Sequence, residues 1–77
     1  MALRVLFFGA LQDCTGTHAL LHEPAADVVA LRRRLEERYP CLAGQSYRFA
    51  VNAEMAAGVA ALADGDEVAL LPPFAGG

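Results

Sequence analysis

Lysine is missing from this chain, whose six basic residues are all arginine. No side-chain amine is therefore present to accept an activated carboxyl group. Also missing are an internal repeat, a glycine-rich phosphate loop, cysteine pairs at zinc spacing and a nucleophile elbow. Their absence removes the motif-borne routes to nucleotide binding, structural zinc and hydrolase chemistry. Long apolar runs are missing too. Hydrophobic residues make up 56% of the chain and the mean hydropathy is +0.34, yet Arg, Asp, Glu, Gly and Pro interrupt them. No run reaches the roughly 18 residues of a membrane span. Arg4 ahead of Val5-Leu-Phe-Phe8 looks faintly like a signal peptide, but the stretch stops at Gly9 without a cleavage region. A first strand in a cytoplasmic protein, with no membrane partner, is expected.

Positive charge is scarce. A net charge of -3 and a pI near 5.1 argue against nucleic acid as a partner, because phosphate binding needs clustered cations. Arg32, Arg33, Arg34 and Arg38 do cluster, but Glu36 and Glu37 dilute them into a solvated helix face. The two cysteines, Cys14 and Cys41, permit one disulfide at most. Without a secretory signal both are expected to be reduced, ordinary thiols. On one strand, His18 and His22 would point the same way about 13 Å apart, too far to share an ion. Surface histidines and no metal site are expected. With 77 residues the chain fits a single core, too small to enclose an enzyme cleft of about 300 Å³ or more. It is not expected to be an enzyme alone.

Alternation marks Leu3 to Phe8 as a strand, with Leu3, Val5 and Phe7 on one face and Arg4, Leu6 and Phe8 on the other. Gln12 to Gly16 reads as a turn leading to a second strand around His18 to Glu23. Asp27 is placed to cap a helix whose Val28, Leu31, Leu35 and Tyr39 recur at helical spacing, and Pro40 ends it. Tyr47 to Asn52 is a third strand, followed by an alanine-rich connection from Met55 to Leu62. Asp64, Asp66 and Glu67 surround a glycine in a turn, one Asp bonding local amides. Glu67 to Leu71 is the last strand.

One amphipathic helix can cover only one face of such a sheet. The order predicts an α+β, ubiquitin-like β-grasp: a mixed sheet of four to five strands with one main helix packed on one face. Phe7, Leu31, Leu35, Phe49, Val51, Val68 and Leu70 form the expected core. Leu6, Phe8 and Leu71 fall on the uncovered face, and adjacent first and last strands would join them into a partner surface.

The most informative segment is the end, Asp64-Gly-Asp-Glu-Val68 followed by Pro72-Pro73 and Gly76-Gly77. Together with Arg4-Val-Leu-Phe-Phe8 and Phe49-Ala-Val-Asn52, it resembles the small subunit of molybdopterin synthase, among the ubiquitin-like sulfur carriers. Members of that family often carry aromatic residues where this chain has Leu70-Leu71. The resemblance implies that an activating enzyme uses ATP to adenylate the carboxylate of Gly77, that a sulfur donor turns it into a 1-thioglycine thiocarboxylate, and that this enters the synthase large subunit. Two deliveries there would build the dithiolene of molybdopterin. The family also implies a heterotetramer with the large subunit, and no cofactor bound by the carrier itself.

The residues suit that chemistry. Gly76 and Gly77 bring no side chain into a narrow channel. Pro72 and Pro73 favour an extended exit from the last strand, and Phe74, Ala75, Gly76 and Gly77 could reach roughly 13 to 14 Å at about 3.3 to 3.6 Å per residue. Residues 1–73 are expected to form the β-grasp domain and 74–77 a flexible tail, with Leu6, Phe8, Leu71, Pro72, Pro73, Phe74 and Ala75 meeting partners. Other readings of the same tail are a carrier for thiamin or another sulfur-containing product, a protein modifier that forms isopeptide bonds, and an interaction domain with an inert end.

Overall fold

The computed structural model describes residues 2–56 and 60–72. Strand β1 (Leu3–Phe7) follows the predicted alternation, with Leu3, Val5 and Phe7 buried and Arg4 exposed. After it comes helix α1 (Ala10–Thr15), where the polar composition suggested only a turn. A six-residue helix that buries one side chain, Leu11, leaves no helical repeat to read in the sequence. Gly16 closes it in the left-handed region at φ 77°, its amide donating to Gln12 O at 2.8 Å. Strand β2 (Ala19–His22) then pairs antiparallel with β1, within the predicted span.

Helix α2 (Val28–Arg38) starts as expected, Asp27 Oδ1 accepting from the Ala30 amide at 2.8 Å. It buries Val28, Leu31 and Leu35 against the sheet. Tyr39 is partly buried and meets Phe7 edge-on, ring centroids 6.0 Å apart. Pro40 ends the helix and opens a 3-10 turn (Pro40–Gly44) that buries Leu42. Strand β3 (Arg48–Val51) and a further short strand, β4 (Glu54–Met55), form a hairpin across Asn52 and Ala53, both at positive φ (51° and 69°). Strand β5 (Glu67–Leu71) occupies the predicted residues.

The five-stranded sheet runs β2-β1-β5-β3-β4, with β1 and β5 parallel and every other pairing antiparallel. With the main helix on one face, this is the expected mixed β-grasp. Of the expected core, Phe7, Leu31, Leu35, Phe49, Val68 and Leu70 are buried, whereas Val51 packs only partly buried at its margin. Leu3, Val5, Leu11, Val28 and Leu42 complete it. Burying each such side chain stabilises the fold by about 1.5–3 kcal/mol.

Two side-chain expectations are corrected. Cys14 on α1 and Cys41 in the 3-10 turn form a disulfide, their Cα atoms 5.9 Å apart. Reading residues 12–16 as a turn had placed no element beside Cys41, whereas α1 brings the two together. His22 is not a surface residue. At 8% exposure its position on β2 turns it toward the core side, where Nδ1 lies 2.7 Å from Glu23 O. His18 is exposed and lies just outside β2, so no histidine pair forms on one strand.

Candidate functional site

Strand register assembles the uncovered face. Leu6 lies opposite Ala69 across the β1–β5 pair and opposite Ala19 across β1–β2. Phe7 pairs with Leu70, so the next pair along brings Phe8 beside Leu71, and the Phe8 amide donates to Leu70 O at 3.2 Å. Leu71 in turn lies opposite Arg48, Ala69 opposite Ala50, and Ala50 opposite Met55. Leu6, Phe8 and Leu71 therefore share one face, as alternation predicts. Phe8 is 41% exposed, while Leu6 and Leu71 are half-buried among their neighbours.

The patch is wider than those three residues. Leu21 at 72% exposure and Met55 at 59% extend it toward the two sheet edges. Met55 was hidden from sequence reasoning by the unpredicted hairpin. The available signal was Asn52, a residue that tolerates positive φ, placed directly after a strand. Charge lies at the two ends of this face: Arg4, opposite Leu21, lies 4.0 Å from Glu67, and Arg48 is exposed opposite Leu71.

At one end of β5 the chain arrives from the Asp64–Asp66 turn. Asp66 Oδ2 accepts from the Ala63 amide at 2.8 Å and its Oδ1 from Asn52 Nδ2 at 3.0 Å. The Ala63 amide first, then Asn52, hold the Asp66 carboxyl below its ordinary pKa. This matches the turn role expected of the acidic cluster. At the other end, Leu71 passes into Pro72, which is partly buried. Pro73, Phe74, Ala75, Gly76 and Gly77 lie outside the described residues, as does the proposed boundary at 73.

The helix side carries a separate polar cluster. Tyr47 donates to Glu36 Oε2 at 2.7 Å, Arg32 Nε reaches the same oxygen at 3.1 Å, and the guanidinium lies 5.2 Å from the Tyr47 ring centre. Burial, then Glu36, raises the Tyr47 pKa, and the Tyr47 hydroxyl is the main cause lowering that of Glu36. The cluster ties α2 to the residue that leads into β3 and is a bracing contact. Among the described residues, no three His, Cys, Asp or Glu side chains come together to hold a metal ion, and no helix is long and apolar enough to cross a membrane.

The ThiS family matches residues 5–77 of the chain. A curated relative, the molybdopterin synthase sulfur carrier subunit of Mycobacterium tuberculosis (strain ATCC 25618 / H37Rv), is 36% identical over 80 residues, covering 97% of this chain and 96% of that protein. Among solved structures, a chain of the complex between subunits 1 and 2 of molybdopterin-converting factor from Helicobacter pylori 26695 is 30% identical at a TM-score of 0.72, with all of both chains covered. The small archaeal modifier protein 1 of Haloferax volcanii is 25% identical at a TM-score of 0.84, covering 95% of this chain and 98% of its own.

Proposed function

The chain belongs to the ThiS family, and from that membership we propose that it is a sulfur carrier working through the carboxylate of Gly77. The observation that carries this reading is the extent of the family match, which continues through Gly76-Gly77 to residue 77. The 36% identity to a molybdopterin synthase sulfur carrier subunit, along nearly the whole of both chains, favours the pterin pathway over thiamin or another product.

A carboxylate resists attack because its charge is delocalised. In the proposed cycle an activating enzyme transfers AMP from ATP to the Gly77 carboxylate and releases pyrophosphate. A sulfur nucleophile displaces AMP and leaves the thiocarboxylate. Sulfur then passes to the pterin precursor in the large subunit, and water restores the carboxylate. The carrier contributes two things: a tail ending in two glycines, and an apolar face beside the root of that tail. Leu6, Phe8, Met55 and Leu71 dock the partner, and the short link from Leu71 delivers Gly77. ATP belongs to the activating enzyme, and this chain binds no cofactor of its own.

The test is intact-mass measurement after incubation with ATP, an activating enzyme and a sulfur source, followed by mixing with the large subunit and the pterin precursor. Exchange of one carboxyl oxygen for sulfur and conversion of the precursor are expected. Pyrophosphate release with only the acyl adenylate or the parent mass found, and no oxygen-for-sulfur exchange, would overturn the carrier reading. A second reading, a protein modifier, is favoured by the likeness to small archaeal modifier protein 1. It predicts masses of joined proteins in the same mixture.

A further inference from the structure

We infer that Gly9 is a positioning residue for the tail, the seat on which Pro72 rests and from which the chain leaves the sheet. The inference rests on the carrier reading above for its consequence, and on the geometry of the free chain for its cause.

The parallel β1–β5 ladder pairs Phe7 with Leu70, and two steps further along it brings Gly9 beside Pro72. Proline has no amide hydrogen, so the ladder cannot continue by hydrogen bonding there. The tail root must be held by contact instead. A Cβ built on Gly9 would lie 2.9 Å from Pro72 Cγ, closer than real side chains approach, so the pyrrolidine ring fills the space a side chain would occupy. Gly9 also sits at φ 58°, ψ -136°, where L side chains are strained, as the chain turns from β1 into α1. Its carbonyl accepts from the Gln12 amide at 3.1 Å, which fixes the seat to the first turn of α1. A side chain at Gly9 must displace the Pro72 ring, whose Cγ is the atom it would strike, or the helix start, and so disturbs the root of the link to Gly77.

Gly65 provides a matched control. It too has a positive φ, 84°, but no atom lies within 4 Å of where its Cβ would be. Gly65→Ala therefore carries backbone strain without a collision. We would compare the full-length parent, Gly9→Ala, Pro72→Ala, the double variant and Gly65→Ala in two ways. In the free chain, NMR reads the nuclear Overhauser contact between Gly9 Hα and the Pro72 ring, and the amide shifts of residues 74–77. With an activating enzyme, pyrophosphate release gives kcat and KM for the carrier as substrate.

Gly9→Ala and Pro72→Ala should each move the tail shifts and lower kcat by about tenfold to a hundredfold, the scale of an ångström-sized misplacement, with KM little changed. The double variant should lose no more than the worse single one, because both substitutions act on one contact and Pro72→Ala removes the ring that a side chain at Gly9 would strike. Gly65→Ala should lose thermal stability and keep the parental kcat and tail shifts. A Gly9→Ala protein that is adenylated as fast as Gly65→Ala would overturn the inference, as would a parent without the Gly9–Pro72 contact. A parent that shows the contact but is never adenylated would instead count against the carrier reading.

Discussion

Asn52 donates from Nδ2 to Asp66 Oδ1 at 3.0 Å while its own Oδ1 accepts the Glu67 amide at 3.0 Å. One side chain thus joins the β3–β4 turn to the start of β5, and its backbone amide adds a third bond to Glu67 O at 2.7 Å. The turn it organises is what brings Met55 onto the apolar face.

Asn52→Ala should destabilise the fold by about 0.5–1.5 kcal/mol, because the Glu67 amide and the Asp66 carboxylate exchange a fixed partner for water. Ala53→Gly should act in the opposite direction, by about 0.5–1 kcal/mol, since Ala53 sits at φ 69° where glycine has no steric penalty. Urea unfolding of both variants checks the pair, and equal midpoints for the two would contradict it.

Stability should depend on pH at both extremes. Asp66 and Glu36 have folded pKa values below their ordinary 3.8 and 4.5, so their contribution is full above those values and is lost as pH falls through the lower folded ones. Tyr47 is shifted upward, chiefly by burial, so the folded state favours the neutral phenol. That contribution is full below the ordinary value of 10.0 and declines as pH rises above it. Tyr47→Phe should abolish the alkaline decline and soften the acid one, measured by denaturant titration at a series of pH values.

The Cys14–Cys41 link closes a loop spanning 27 residues of sequence separation. Chain entropy puts its contribution at about 3–4 kcal/mol. Melting with and without a phosphine reductant should differ by that amount, and Cys14→Ser/Cys41→Ser should melt like the reduced protein and ignore the reductant. Mass spectrometry after alkylation of unreduced protein should find neither thiol labelled.

Phe8→Asp, Met55→Asp and Leu71→Asp should each leave a folded sheet and weaken binding to both the activating enzyme and the large subunit. Full burial of one such side chain against a partner is worth about 1.5–3 kcal/mol, or on the order of ten- to a hundredfold in Kd. A face proposed to serve both requires that the two partners compete in a binding assay. Simultaneous occupancy of one carrier by both would refute the shared face.

Deleting Gly77, or adding a residue after it that is not trimmed, should abolish sulfur transfer while leaving the melting temperature unchanged. Gly76→Val should shift stability by less than about 0.5 kcal/mol, the range of exposed substitutions, yet slow adenylation severely. Unfolding curves and thiocarboxylate yield, measured on the same preparations, separate the two effects.

The sequence by itself determined the elements whose patterns are long enough to repeat: β1 and β5 through alternation, and α2 through an Asp27 cap and leucines at helical spacing. It also fixed which face Leu6, Phe8 and Leu71 share, because a side chain's direction on a strand depends only on its parity. The tail motif was equally local. What tertiary structure decided were relationships between residues distant in the chain. Helix α1 is too short to repeat and holds its place through buried Leu11 and the bridge to Cys41. His22 is buried because β2 turns it toward the covered side of the sheet, which its polar identity alone argued against. Met55 reaches the open face through a turn whose second residue, Ala53, has no intrinsic preference for positive φ and is held there by Asn52's bonds to β5. Gly9 looks like an ordinary strand terminator until β5 is laid parallel to β1 and Pro72 comes to rest against it. Local preference writes strands, caps and faces into a sequence, but a contact across 63 residues exists only once the sheet order has been chosen by burial of the whole core.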